Sequence, residues 1–110
     1  MSIEHKGLAA GRWNELTFFE QMANTGSEVE RTINWRKKGN KEYSNLAFYR
    51  VLELLDLTIS DKKNLHRLRE LTRIREALAD YFVFKNQFGS TDAMWQKYFF
   101  AFSFAARRMI

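Results

Sequence analysis

The chain has 110 residues, 45% of them hydrophobic, with ten Phe and a formal net charge of +5. That is one domain's length and too apolar for a disordered chain. The absence of Cys excludes disulfides, thiolate metal sites and cysteine nucleophiles, and the absence of Pro with only five Gly argues against a turn-rich all-β fold.

Residues 1–11 hold two Gly and no apolar periodicity, and read as a flexible lead-in to a single helical domain over residues 12–110. They contain no apolar run long enough for a signal-peptide core. No stretch of the chain approaches the ~20 consecutive apolar residues of a membrane span. Cytoplasmic residence without membrane association is the expectation.

The first helix is expected to start near Asn14 as its cap, with Trp13 outside it. Its stripe runs Leu16, Phe19, Met22, Gly26, Val29 and Ile33, stepping by three and four. Gly26 lies on that stripe. A helical glycine costs ~1 kcal/mol against Ala, so it marks either close approach by a large ring or a kink near Asn24, Thr25 and Gly26. Gly39 ends the helix at the position where positive φ is needed, after the cations Arg36, Lys37 and Lys38 that suit the negative end of the helix dipole.

Asn40 opens the second helix, whose inward face is Tyr43, Ala47, Val51, Leu54 and Leu55. The near-absence of a connection forces an antiparallel hairpin. Glu53 and Asp56 interrupt its apolar run and fall on the outer face, although a buried carboxylate pair would be a functional signal.

Residues 60–84 read as one long third helix capped by Ser60 or Asp61. Leu65, Leu68, Leu71, Ile74, Leu78 and Tyr81 form its stripe. The opposite side carries Lys62, Lys63, Arg67, Arg69, Arg73 and Arg75, either a solvated face or a phosphate-contacting one. After a polar loop containing Gly89, Ser90 or Thr91 caps the fourth helix. There Trp95, Tyr98, Phe102, Ala105 and Met109 repeat the three–four spacing, while Met94, Phe99, Phe100 and Phe104 lie off the seam. A helix this apolar around its circumference is buried on more than one side. Those four residues are therefore the expected homodimer interface. The whole is an all-α, antiparallel up-down-up-down four-helix bundle.

Chemistry is sparse. His5 lies in the lead-in. His66 stands one turn before Glu70, but a metal site needs further ligands and a di-iron bundle needs two Glu-x-x-His units, which the sequence lacks. No phosphate-binding glycine loop, dinucleotide fingerprint or nucleophile elbow is present, so no cofactor is expected. Trp35 beside Arg36 and Lys37 either stacks a base or flanks the end of the bundle.

The segment INWRKKGNKEYSNLAFYRVLELLDLTI (residues 33–59) resembles the leading hairpin of HEPN-type helical bundles. There, a helix ends in a short basic glycine turn and the next opens on a Tyr- and Ala-containing stretch. Catalytic members of that group cut RNA with an Arg followed a few residues later by His. Here His66 follows Ile59, Ser60, Asp61, Lys62 and Lys63 with no such Arg, so the resemblance implies a non-catalytic member. The chain is equally similar to small prokaryotic four-helix proteins, including the type that accompanies ribosomal RNA insertions. The expected role is a non-enzymatic, homodimeric interaction module that binds a protein partner. The alternatives are RNA binding through the basic face of the third helix and an HEPN-like ribonuclease.

Overall fold

A computed structural model describes residues 11–108, all helical or connecting, with no strand among them. A 3-10 turn (Trp13–Glu15) leads into α1 (Phe18–Lys37) and α2 (Lys41–Ser60). A second 3-10 segment (Lys62–Arg67) precedes α3 (Leu68–Phe82), and α4 (Asp92–Arg108) closes the chain. Among the described residues, no helix is long and apolar enough to cross a membrane. Residues 1–10 of the lead-in assigned to residues 1–11, His5 among them, and the stripe position Met109 lie outside the described residues.

Local chemistry sets the helix ends. α1 starts at Phe18 rather than near Asn14, because Thr17 and Glu20 form a capping box. The Glu20 N–H donates to Thr17 Oγ1 (3.1 Å) and the Thr17 N–H to Glu20 Oε1 (2.9 Å), satisfying two otherwise orphaned donors. Its far end is as expected: Gly39 takes φ +78°, and Asn40 Oδ1 accepts from the Tyr43 N–H (3.0 Å) to start α2. Thr91 Oγ1 accepts from the Met94 N–H (3.1 Å) at the head of α4.

The core is centred on α1, which packs against both α2 and α4. Met22, Val29, Ile33, Val51, Leu55, Leu71, Leu78, Trp95 and Phe99 fill it. At Gly26, α1 lies close against Phe99 of α4. A Cβ there would lie 2.7 Å from Phe99 Cβ, so the glycine is present for close packing. Residues early in α1 meet residues late in α4, as in the edge-on Phe18–Phe102 pair. Those late in α1 meet its start, as in Arg36–Asp92. Trp35 stacks edge-on against Tyr43 at one end of the α1–α2 pair, and Trp13 bonds Thr58 at the other.

The third segment departs most from expectation. Residues 62–67 are 3-10 rather than α-helical, and Leu65 is 73% exposed with Leu68 also outward, so the buried stripe begins only at Leu71. The cause is a buried polar cluster at this end of the molecule. Asn64 Nδ2 donates to Gln21 Oε1 (2.9 Å) and to the Thr58 carbonyl (2.9 Å). Gln21 Nε2 in turn donates to Asp61 Oδ2 (2.8 Å) and to the Trp13 carbonyl (3.1 Å), and Trp13 Nε1 to Thr58 Oγ1 (3.1 Å). Turning Asn64 inward rotates Leu65 outward. Burying these amides without partners would cost ~1–3 kcal/mol each, so the network dictates the local winding. On α2, Tyr43 is likewise exposed rather than inward.

Candidate functional site

α3 leans on α2 but stands away from α4, leaving between them a groove of about 890 Å³. Arg69, Arg73, Ile74 and Ala77 of α3 line it, with Met94, Trp95 and Tyr98 of α4, and Phe88 and Ser90 of the connecting loop. Bonds between α3 and α4 fix its two sides. Tyr81 Oη donates to Asp92 Oδ1 (2.6 Å) near the loop, and Tyr98 Oη donates to Glu70 Oε2 (3.2 Å) beside Arg69. Burial raises the phenol pKa of Tyr98, and the neighbouring Glu70 carboxylate adds to the rise. Burial also raises Tyr81, reinforced by its bond to Asp92. Both phenols are held as neutral donors to carboxylates.

The loop is built by side chains substituting for backbone partners. Buried Asp80 accepts from the Gln87 N–H (2.8 Å) and the Phe88 N–H (3.0 Å). Asn86 adopts φ +55°, a conformation Asn tolerates, and its side chain exchanges two hydrogen bonds with Ser90. Phe88 is thereby held at the groove's edge, largely exposed. Arg36 anchors the same corner. Its Nη2 lies 2.8 Å from Asp92 Oδ1, with its guanidinium carbon 4.6 Å from the Tyr81 ring centre and 4.8 Å from that of Phe82. Trp95 forms part of the groove wall and is buried. Its Nε1 has no hydrogen-bond acceptor among the described residues.

The six cations expected to form one face divide. Arg75 is engaged with Asp56 (Nε–Oδ1 2.8 Å) and Lys63 with Asp61 and the Asn14 carbonyl. The Arg67 guanidinium carbon sits 4.1 Å over the Phe18 ring, and its Nη1 is 4.0 Å from Glu70. Lys62, Arg69 and Arg73 are exposed, with no ion-pair partner among the described residues. Half of the basic face is thus engaged in contacts within the chain.

The four residues expected at an oligomer interface also divide. Phe99 does not belong there: it is 4% exposed and seated on Gly26 in the protein's own core. Met94 is 55% exposed and lines the α3–α4 groove. Phe100 and Phe104 are 61% and 49% exposed. Phe100 borders a smaller depression between α1 and α4, and Arg108 lies over the Phe104 ring (5.6 Å). The groove thus unites Arg69 and Arg73 with Met94, residues the sequence had placed on separate surfaces. Sequence reasoning missed Phe88 and Tyr98 as groove residues. The signal available was the Asp80–Phe88 loop composition, which gives no direction for Phe88.

His66 is exposed, and no cluster of three or more His, Asp or Glu capable of holding a metal occurs among the described residues. Trp35 carries Lys38 Nζ over its ring (5.1 Å) while packing on Tyr43.

Fold and site together define an all-helical protein with an open, cation-rimmed groove between two helices. Comparison with protein-family models, with curated proteins and with solved structures finds no match for this chain.

Proposed function

We propose that the protein is a non-enzymatic interaction module, an antiparallel up-down-up-down bundle that self-associates through the outer face of α4 and docks a protein partner in that form. The observation that carries this reading is the exposure of Phe100 and Phe104, one helical turn apart on one helix. Fully burying a Phe side chain contributes ~1.5–3 kcal/mol, and these two half-exposed rings have about half of that left to gain. In a two-fold contact each chain supplies the same patch, so both rings count twice. Arg108 beside Phe104 gives the patch a polar margin, as interface rims have.

Sedimentation velocity across the micromolar range tests it. The expected result is a dimer fraction that rises with concentration. The double variant F100E/F104E is expected to sediment as a monomer with unchanged helical circular dichroism. A wild-type chain that remains monomeric at the highest concentration refutes the reading.

A second reading, RNA binding, is favoured by one observation: Lys62, Arg69 and Arg73 are exposed and unpaired among the described residues. Each phosphate neutralised on a single strand contributes ~0.7 to the log–log salt slope. Three cations therefore give a slope near −2, where all six would give about −4. A mobility-shift series over salt distinguishes these values, and no shift at low salt removes the reading.

A further inference from the structure

We propose that the α3–α4 groove is a binding site for a small amphiphilic carboxylate. The apolar chain would lie against Ala77, Met94, Trp95 and Phe88, with the carboxylate held by Arg69 and Arg73. Three observations converge on this chemistry, none of which depends on self-association through Phe100 and Phe104. First, the groove's volume of about 890 Å³ lies within the ~300–1,000 Å³ typical of small-molecule clefts. The connecting loop, with Phe88 and Ser90, bounds it at one end.

Second, its lining is divided along its length. The loop end presents Phe88, Met94 and Ala77, and the other end presents Arg69 and Arg73. The two arginines are four residues apart on α3 and so share one side of the helix. Guanidinium groups match a carboxylate bidentately, unlike an ammonium.

Third, the charge balance favours an anion. Neither arginine has an ion-pair partner among the described residues, and Glu76 is the one carboxylate lining the groove. The neighbouring Glu70 already faces Arg67 and accepts from Tyr98.

The test is isothermal titration calorimetry of the full chain with decanoate below its micelle concentration, paired with amide chemical-shift mapping. Decyltrimethylammonium serves as the control of opposite head-group charge. Expected are saturable binding of one decanoate per chain and shifts confined to residues 69–77, 88–90 and 94–98. The variant R69Q/R73Q, exposed and therefore expected to fold normally, should weaken decanoate by at least about tenfold, the scale of one lost charge-assisted pair. F100E/F104E should bind decanoate as the wild type does. The proposal is overturned if decanoate fails to bind, or if the cationic amphiphile binds equally well. Shifts that map to the Phe100–Phe104 face, or loss of binding in F100E/F104E, would also overturn it. A monomeric wild type that still binds decanoate would sink the self-association reading and leave this one standing.

Discussion

Replacing Gly26 by Ala sets two effects of opposite sign against each other, and the geometry says which prevails. Alanine is the better helix former by ~1 kcal/mol in a helix interior, so on propensity alone Gly26→Ala would stabilise α1. The new Cβ, however, would lie 2.7 Å from Phe99 Cβ and 3.0 Å from its Cγ and Cδ1. Ordinary contact begins at 3.4 Å, and Phe99 Cβ is tied to the α4 backbone, so no rotamer change relieves the clash. α1 and α4 must separate by a fraction of an ångström or more along their shared seam, which also carries Met22, Val29 and Trp95. Overpacking of this kind costs ~1–3 kcal/mol, and a rigid obstacle places it in the upper part of that range. The expected net loss is about 1–2 kcal/mol, or roughly 4–8 °C in Tm per kcal/mol for a domain of this size. Urea denaturation followed by circular dichroism reads it as a lower midpoint at unchanged slope. Ser27→Ala, at an exposed neighbouring position, controls for the propensity gain. If Gly26→Ala raises the midpoint as Ser27→Ala does, α1 and α4 are not packed as described and the glycine has no packing role.

Two further expectations concern the buried polar cluster. Asn64→Ala removes donors to Gln21 Oε1 and the Thr58 carbonyl; the carbonyl keeps the Asp61 N–H, but buried Gln21 Oε1 is left unpaired, which should cost ~1–3 kcal/mol in urea denaturation. Asp61 supplies the pH dependence: burial pushes its carboxyl up, but hydrogen bonds from Lys63 and Gln21 outweigh that and hold it below the ordinary range. A folded pKa below the unfolded one contributes stability at neutral pH that is lost as pH falls through the folded value. Thermal melts from neutral pH into acid should therefore fall less steeply for Asp61→Asn than for the wild type, and parallel curves would show that Asp61 contributes nothing to acid stability.

How much of this was legible in the sequence depends on whether a signal was local. The α1–α2 junction was, because Gly39 and Asn40 each have one backbone role that neighbouring residues cannot fill. At Gly26 the sequence left two readings, close approach by a ring or a kink, and the contact with Phe99 selects the first. The start of α1 was written in Thr17-Phe18-Phe19-Glu20, and Asn14 competed because any short polar side chain can cap. The third segment misled for a different reason. Nothing in residues 60–84 breaks a helix, and Leu65 and Leu68 continue the apolar spacing. Their outward placement follows from Asn64, whose partners Gln21 and Thr58 lie on other helices. A non-local hydrogen-bond requirement overrode local periodicity.

The same distinction governs the site. Reading α3 as a basic face and α4 as an apolar surplus treated each helix as if its neighbours were fixed. Tertiary pairing then withdrew Arg67 to Phe18, Lys63 to Asp61, Arg75 to Asp56 and Phe99 to Gly26. Arg69, Arg73 and Met94 were left over, and α3 standing off from α4 brought these three to one groove. Charge and greasiness counted along a helix measure only what is available. Here Arg69 and Arg73, which the fold leaves without an ion-pair partner among the described residues, stand at one end of an apolar groove, while the exposed rings Phe100 and Phe104 lie elsewhere on α4. If both proposals hold, that separation would let a ligand and a second copy of the chain be held at once.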